Sequence, residues 1–272
     1  MNDNQQKKFL IIHKHKNGVR RITLNCPERH NAFDDLMIDQ LISAISQADK
    51  DSSVRIIVLD AAGKSFSAGA DLNWMKRMSN YSWEENYQDS LKLAGLMQTL
   101  YQCNKTTIAI VQGAAYGGGV GLIACCDLVL ASSDAVFCLS EVKLGLIPSV
   151  ISPYLVKAIG ERNCKRFFLT AEKFNAKEAQ NIHLVHKIID DQELSNESQD
   201  YINRVLANGP TAMLQAKRLI NYVSERALGE EMVLETARRI ADIRSTSEGK
   251  EGVAAFLEKR PANWNSKTKT EL

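Results

Sequence analysis

The stretch AAYGGGVGLIACCD, Ala114 to Asp127, carries three consecutive glycines and no charge until its final aspartate. Ordering glycine costs more backbone entropy than ordering any other residue, so such a run marks backbone doing what side chains cannot. It follows a short, β-branched, buried-strand pattern at Thr107–Gln112 and leads into an apolar helix-like run. Leu128–Ser132 then reads as a strand again. Strand, bare turn, helix, strand is the grammar of an α/β domain.

The same alternation extends outward from this stretch. Leu10–His15 and Val19–Leu24 read as two strands joined by the hairpin signal Asn17-Gly18. Pro27–Ala32 reads as a loop, and Asp34 or Asp35 is placed to cap a helix over Leu36–Ala48. Arg55–Asp60 is a short buried strand, and Asp71–Leu100 is helical with a polar break around Ser79–Glu85. From Gln199 onward strand signals stop, and helices are predicted at Tyr201–Ala207, Thr211–Ser224, Glu230–Arg244 and Gly249–Lys259. The expected organisation is a solvated tail at residues 1–8, an α/β core over 9–198 and a helical region over 199–272. No Ser/Gly/Pro-rich linker separates the last two, and there is no internal repeat.

Composition narrows the class. The 272 residues are 44% hydrophobic and 24% charged, ordinary globular values. A net charge of +2 gives no reason to expect nucleic acid or an anionic membrane as partner. Thr106–Cys126 is uncharged, but its glycines and Gln112 break it, so a buried strand, turn and helix is expected there rather than a membrane span. Six cysteines form no C-x-x-C pair, and the N-terminus lacks an apolar signal region. A reduced, cytoplasmic protein with core cysteines is expected, with no metal site.

Three features carry chemistry. Phe66-Ser67-Ala68-Gly69-Ala70-Asp71-Leu72 is a small-residue turn from a strand region towards a helix, and the glycine run is a second. Each can aim a backbone N–H at one point, and two converging N–H donors make an oxyanion hole, reinforced by the positive end of a helix. The third is Cys138–Pro148 (CLSEVKLGLIP), where Glu141 sits in largely apolar company, which predicts a raised pKa. One such turn alone is ordinary packing; the combination is the signal.

These motifs, in order, resemble the crotonase (enoyl-CoA hydratase/isomerase) superfamily: Ser67–Leu72, Gly113–Gly119, Cys126-Asp127 and Glu141–Pro148. Cys26–Ala32 resembles its N-terminal CoA-side loop, and Phe256–Pro261 (FLEKRP) its C-terminal signature. Within it, GGGVGLIACCD and SEVKLGLIPSVISPYLVKAIGER look most like bacterial methylglutaconyl-CoA hydratases of leucine breakdown, with carboxygeranoyl-CoA hydratases similar too. The resemblance implies a spiral of repeated ββα units with a C-terminal helical trimerisation region, and a homotrimer or dimer of trimers. It implies a lyase acting on an acyl-CoA, whose thioester oxygen accepts from the N–H groups of Ala70 and Gly118. No separate cofactor is expected, since coenzyme A is part of the substrate.

Many hydratases of this family use two glutamates. One matches Glu141; the other would fall at 121, where this chain has Gly121. One carboxylate can take a proton from water and return it to the α-carbon, so hydration remains the leading expectation. Isomerisation by Glu141 alone is the alternative, and a catalytically silent acyl-CoA-binding scaffold a further one. Ser149, or Ser140, is a candidate for holding the attacking water. Substrate and CoA contacts are expected from Ala68, Asp71, Leu72, Asn73, Lys76, Arg29, Phe256 and Lys259, with Lys76 or Arg77 available to a distal carboxylate. Asp71 and Asp127 also read as structural caps at motif edges. The histidines are scattered and suggest no Ser/His/Asp arrangement.

Overall fold

A computed structural model describes residues 9–14 and 17–268. The expected tail at residues 1–8, and His15 at the end of the first strand-like run, lie outside the described residues. β1 (Leu10–Lys14) and β2 (Val19–Leu24) pair antiparallel, with Leu10 opposite Leu24. α1 (Asp35–Lys50) follows, and Asp34 is the cap: its side chain accepts from the Met37 N–H at 2.9 Å. α1 buries Met37, Ile38, Leu41, Ala44, Ile45 and Ala48, one helical face.

From here the chain repeats a pattern of long strand, short strand, helix. β3 (Ile56–Ala61) and β4 (Ser65–Ser67) lead to α2 (Leu72–Met78) and α3 (Trp83–Tyr101). The break between these helices is a capping box: Ser82 accepts from Glu85 N–H while the Glu85 carboxylate accepts from Ser82 N–H. β5 (Thr106–Val111) and β6 (Ala114–Tyr116) lead to α4 (Gly118–Cys125). β7 (Leu128–Ser132) and β8 (Val136–Cys138) lead to a single 3₁₀ turn at Glu141–Leu144 and then α5 (Ser152–Thr170). β9 (Phe174–Asn175), α6 (Ala176–Asn181) and β10 (Lys187–Ile189) follow.

Each repeat contributes one strand to each of two sheets. The larger has the order β1-β2-β3-β5-β7-β10, the smaller β4-β6-β8-β9. Because chain order and spatial order agree in both, the backbone advances as a spiral of ββα units. The small sheet was not legible in the sequence. Its strands have two or three residues, too short for alternation to show. Within it β4, β6 and β8 run parallel, Ser65 beside Ala114 and Tyr116 beside Cys138. Three successive turns therefore open side by side at the C-terminal ends of these strands. Phe33, Phe66, Phe137 and Phe167 are among the largest side chains fully buried in this core.

α7 (Leu194–Leu206) begins seven residues before the expected Tyr201, and its apolar residues face inward, with Ile202 and Leu206 buried. α8 (Pro210–Ser224), α9 (Glu230–Ser245) and α10 (Ser247–Leu257) follow, with a 3₁₀ helix at Asn263–Thr268. The chain divides into two compact units. The first runs to Cys103 and resumes over Thr107–Ser198; the second takes Asn104–Thr106 and the chain from Gln199. In the second, α9 and α10 join at Thr246, whose side chain accepts from the Gly249 N–H at 3.0 Å. No helix among the described residues is long and apolar enough to cross a membrane.

Candidate active site

The residues of interest stand at equivalent places in three successive repeats: Ala70 just after β4, Gly118 just after β6 and Glu141 just after β8. Adjacency of the parallel strands brings the three turns together. Gly69 packs so closely on the second turn that a Cβ there would lie 3.2 Å from the Tyr116 carbonyl oxygen. A Cβ on Gly119 would lie 3.0 Å from Ser67 Cβ.

Phe33, which the sequence reading missed, joins the first two turns. Its N–H donates to Gly69 O and its carbonyl accepts from Asp71 N–H, both at 2.7 Å. In this one-residue parallel bridge Phe33 uses the groups on either side of Ala70, so the Ala70 N–H faces away from it. No protein acceptor for that N–H is found among the described residues. The Phe33 ring, 1% exposed, lies under the glycine run: a Cβ on Gly118 would sit 2.8 Å from its Cε2. At the start of α4 the first N–H to find a carbonyl one turn back is that of Gly121, on Gly117 O at 3.1 Å. The N–H of Gly118 belongs to the open first turn, at the positive end of the helix. Two backbone donors, one on each of two touching turns, are what a developing oxyanion requires.

Glu141 completes the cluster from the third turn. Gly117 has φ +51°, a conformation that L side chains rarely adopt, and a Cβ there would lie 3.1 Å from Glu141 Oε1. Bare backbone thus lets the carboxylate come down onto the head of α4. Glu141 Oε2 is buried and has no hydrogen-bond partner among the described residues. Burial pushes the Glu141 carboxyl above the ordinary carboxylate range, opposed only by its own backbone N–H. An acid–base group held this way suits proton transfer near neutral pH.

The other candidates separate. Asp71 caps α2, Oδ1 accepting from Asn73 and Trp74 N–H at 2.9 and 3.1 Å. Its Oδ2 takes Arg29 Nη1 at 2.8 Å. Burial pushes its carboxyl up, but the Trp74 N–H and the Arg29 guanidinium outweigh this and hold it below the usual range. Arg29 also reaches Asp34 Oδ2 at 3.2 Å and stacks on Phe9. Both side chains are therefore engaged within the fold, while Arg29 Nη2 keeps no hydrogen-bond partner among the described residues. Together they brace the N-terminal loop against the start of α2. Asn31, also missed, does similar work: 0% exposed, it donates to Ala62 O and Ser65 O and accepts from Cys26 N–H.

Ala68 is exposed, with its N–H on His30 O at 2.9 Å. Leu72, Asn73 and Lys76 are exposed along α2. Arg77 is paired with Asp35 at 2.5 Å, which leaves Lys76 the freer cation. Ser149 is exposed; its carbonyl accepts from Ser152, and its N–H donates to Ile147 O. Ser140 is half-buried and precedes the Glu141 turn. Phe256 and Lys259 belong to the second unit and are exposed there, Phe256 to 82%. Asp127 is structural, as read: its Oδ2 accepts from Thr107 N–H at 2.8 Å and from the Thr107 hydroxyl at 3.0 Å. Among the described residues no three His, Cys, Asp or Glu side chains converge to hold a metal ion.

A family model described as enoyl-CoA hydratase/isomerase matches residues 14–267. The chain belongs to that family. A solved structure from Legionella pneumophila, described as an enoyl-CoA hydratase/isomerase (crotonase), is 47% identical with a TM-score of 0.91, covering 94% of this chain and 99% of its own. A Thermus thermophilus protein assigned to the enoyl-CoA hydratases is 36% identical over 251 residues, 92% of this chain and 99% of that protein. A crotonyl-CoA hydratase from Syntrophomonas wolfei is 32% identical over 259 residues, 94% of this chain and 98% of that one. The fold is the crotonase fold. The enoyl-CoA hydratase/isomerase family member described here is an enzyme of the hydro-lyase type.

Proposed function

We propose that this enzyme adds water across the double bond of 3-methylglutaconyl-CoA to give 3-hydroxy-3-methylglutaryl-CoA, a step of leucine breakdown. The observation that carries the hydration chemistry is the unpartnered, buried Glu141 carboxylate oxygen at the head of the glycine-run helix. In the proposed reaction Glu141 removes a proton from water as the water oxygen bonds to C3. The C2–C3 π electrons move into the thioester, and the resulting enolate oxygen is held by the N–H groups of Ala70 and Gly118. The enolate then re-forms its carbonyl as C2 takes the proton back from Glu141. Donors fixed before reaction favour the enolate over the neutral thioester, which lowers the barrier rather than only tightening binding.

Since Glu141 must be ionised to accept the proton, kcat/KM should fall on the acid side through a pKa above the ordinary glutamate range. An acid limb at an unshifted glutamate value would contradict this assignment. Ser149 is proposed to help hold the water. Ser149→Ala should lower kcat by roughly tenfold with KM little changed, and unchanged turnover removes Ser149 from the mechanism.

The methylglutaconyl assignment adds a distal carboxylate, for which exposed Lys76 is the proposed partner. Comparing kcat/KM for 3-methylglutaconyl-CoA and crotonyl-CoA tests it. Lys76→Ala should reduce the first about tenfold or more and leave the second nearly unchanged, as a lost charge-assisted contact of about 1.5–3 kcal/mol predicts. Equal loss on both esters, or on neither, removes Lys76 from substrate reading. A second reading, double-bond isomerisation of a 3-enoyl-CoA, is favoured by the lack of a carboxylate at Gly121. Lys259 and Phe256 are proposed CoA contacts. Self-association into trimers or paired trimers fits the exposed Val233, Leu234, Val253 and Leu257 of α9 and α10. The setting proposed is the cytoplasm.

A further inference from the structure

Gly121 is a buried residue of α4, one helical turn beyond Gly117. Its lack of a side chain does not leave a vacancy. A Cβ built on it would lie 2.2 Å from Ile151 Cγ2, 2.9 Å from Ile151 Cβ and 3.4 Å from Met97 Cε. Ile151, 3% exposed, sits just before α5, and Met97, fully buried, is on α3. Met97 Sδ accepts in turn from Cys125 Sγ at 3.8 Å, further along α4. Three helices meet here over hydrocarbon and sulfur, and the space that the first carbon of any side chain at 121 needs is already occupied.

We propose that Ile151 is a specificity-determining residue: its side chain fills the place from which a second acid would project, and so holds the site to Glu141 alone. The inference rests on the reading of Glu141 as the acid–base group. Close-packed interiors accept added volume only by displacing neighbours, so glycine at 121 and isoleucine at 151 act as one unit. A single carboxylate can both hydrate an enoyl thioester and move a proton between C2 and C4. A second carboxylate beside it would orient water and tip the balance towards hydration. Ile151 therefore sets the ratio of the two reactions through what it excludes.

A pair of variant cycles tests this. In the first, thermal midpoints are measured for Gly121→Ala in three backgrounds. With Ile151 in place the midpoint should fall by at least about 3 °C. With Ile151→Ala, which removes the 2.2 Å contact with Cγ2 and leaves the milder 2.9 Å one with Cβ, that fall should shrink clearly. With Ile151→Val, which keeps both γ carbons, it should persist. In the second, hydration of a 2-enoyl-CoA and isomerisation of a 3-enoyl-CoA are measured for each protein. Gly121→Glu with Ile151→Ala should raise the hydration-to-isomerisation ratio about tenfold or more over the parent. Gly121→Glu alone should not raise it.

Additive midpoints in the first cycle overturn the proposal, as does a raised ratio in Gly121→Glu without any change at 151. A folded double variant with an unchanged ratio also overturns it. If the double variant does not fold, the midpoints decide. A parent enzyme inactive on both esters would instead count against the proposed function, while the midpoints still decide the coupling of 121 and 151.

Discussion

Glu141→Gln should lower turnover by about 10²- to 10⁴-fold, the usual contribution of a positioned acid–base group, while acyl-CoA binding is retained. Glutamine is nearly isosteric, so its packing beside Gly117 should survive. The same variant should unfold at an equal or higher temperature than the parent. Burial raises the carboxyl's folded pKa above its unfolded value, so between those two values the native state holds the extra proton. Stability from this group is complete below the unfolded pKa and declines as pH rises through the folded one. Above the folded pKa the parent carries a desolvated charge that the amide does not. Activity lost together with stability would mean that Glu141 is a structural residue.

Phe33→Ala should have the largest effect on both stability and rate of any substitution outside the three turns. Emptying a fully buried phenylalanine site costs about 3–5 kcal/mol. The ring also supports Gly118 from below, while the Phe33 backbone fixes the strand segment around Ala70. Loss of the ring should therefore let the two donors drift, lowering kcat by about 10²-fold, comparable to removing one oxyanion donor. Phe33→Leu, which keeps the backbone bridge and much of the volume, should recover most of both. Chemical denaturation and steady-state kinetics on the same preparations separate the effects. If Phe33→Ala lowers stability with kcat intact, the ring packs the core without positioning the site.

Much of the fold was legible in the sequence. β1, β2, β3, β5 and β7 of the large sheet, the capped α1 and the helices after Gln199 announced themselves by their apolar patterns. α5 and the three-residue β10 were not read. Nor was the small sheet, although it positions the chemistry. Three-residue strands such as Ser65–Ser67 and Val136–Cys138 carry no pattern of their own. Their pairing is fixed by the repeat, in which β3, β5 and β7 are each followed by a short strand, and these pair side by side.

Within the site, glycines and an acid in apolar company marked the turns, because bare backbone and a buried charge are both costly and need a reason. What tied the turns together was illegible for a different cause. Phe33 acts on Gly69 and Asp71 through its backbone, across a sequence gap that no local motif spans. The pairing of Arg29 with Asp34 and Asp71 was also illegible, because Asp71 lies far along the chain and meets it only after folding. Gly121 was read as something missing, when Ile151 had taken its space.

In the proposed reaction two backbone donors and one glutamate add water to an enoyl thioester. Its most direct test is the mass of the product formed from crotonyl-CoA in heavy-oxygen water. The parent enzyme should yield a 3-hydroxyacyl-CoA carrying one heavy oxygen, and Glu141→Gln almost none. Thioester recovered without added oxygen from the parent, or equal incorporation by both proteins, would contradict it.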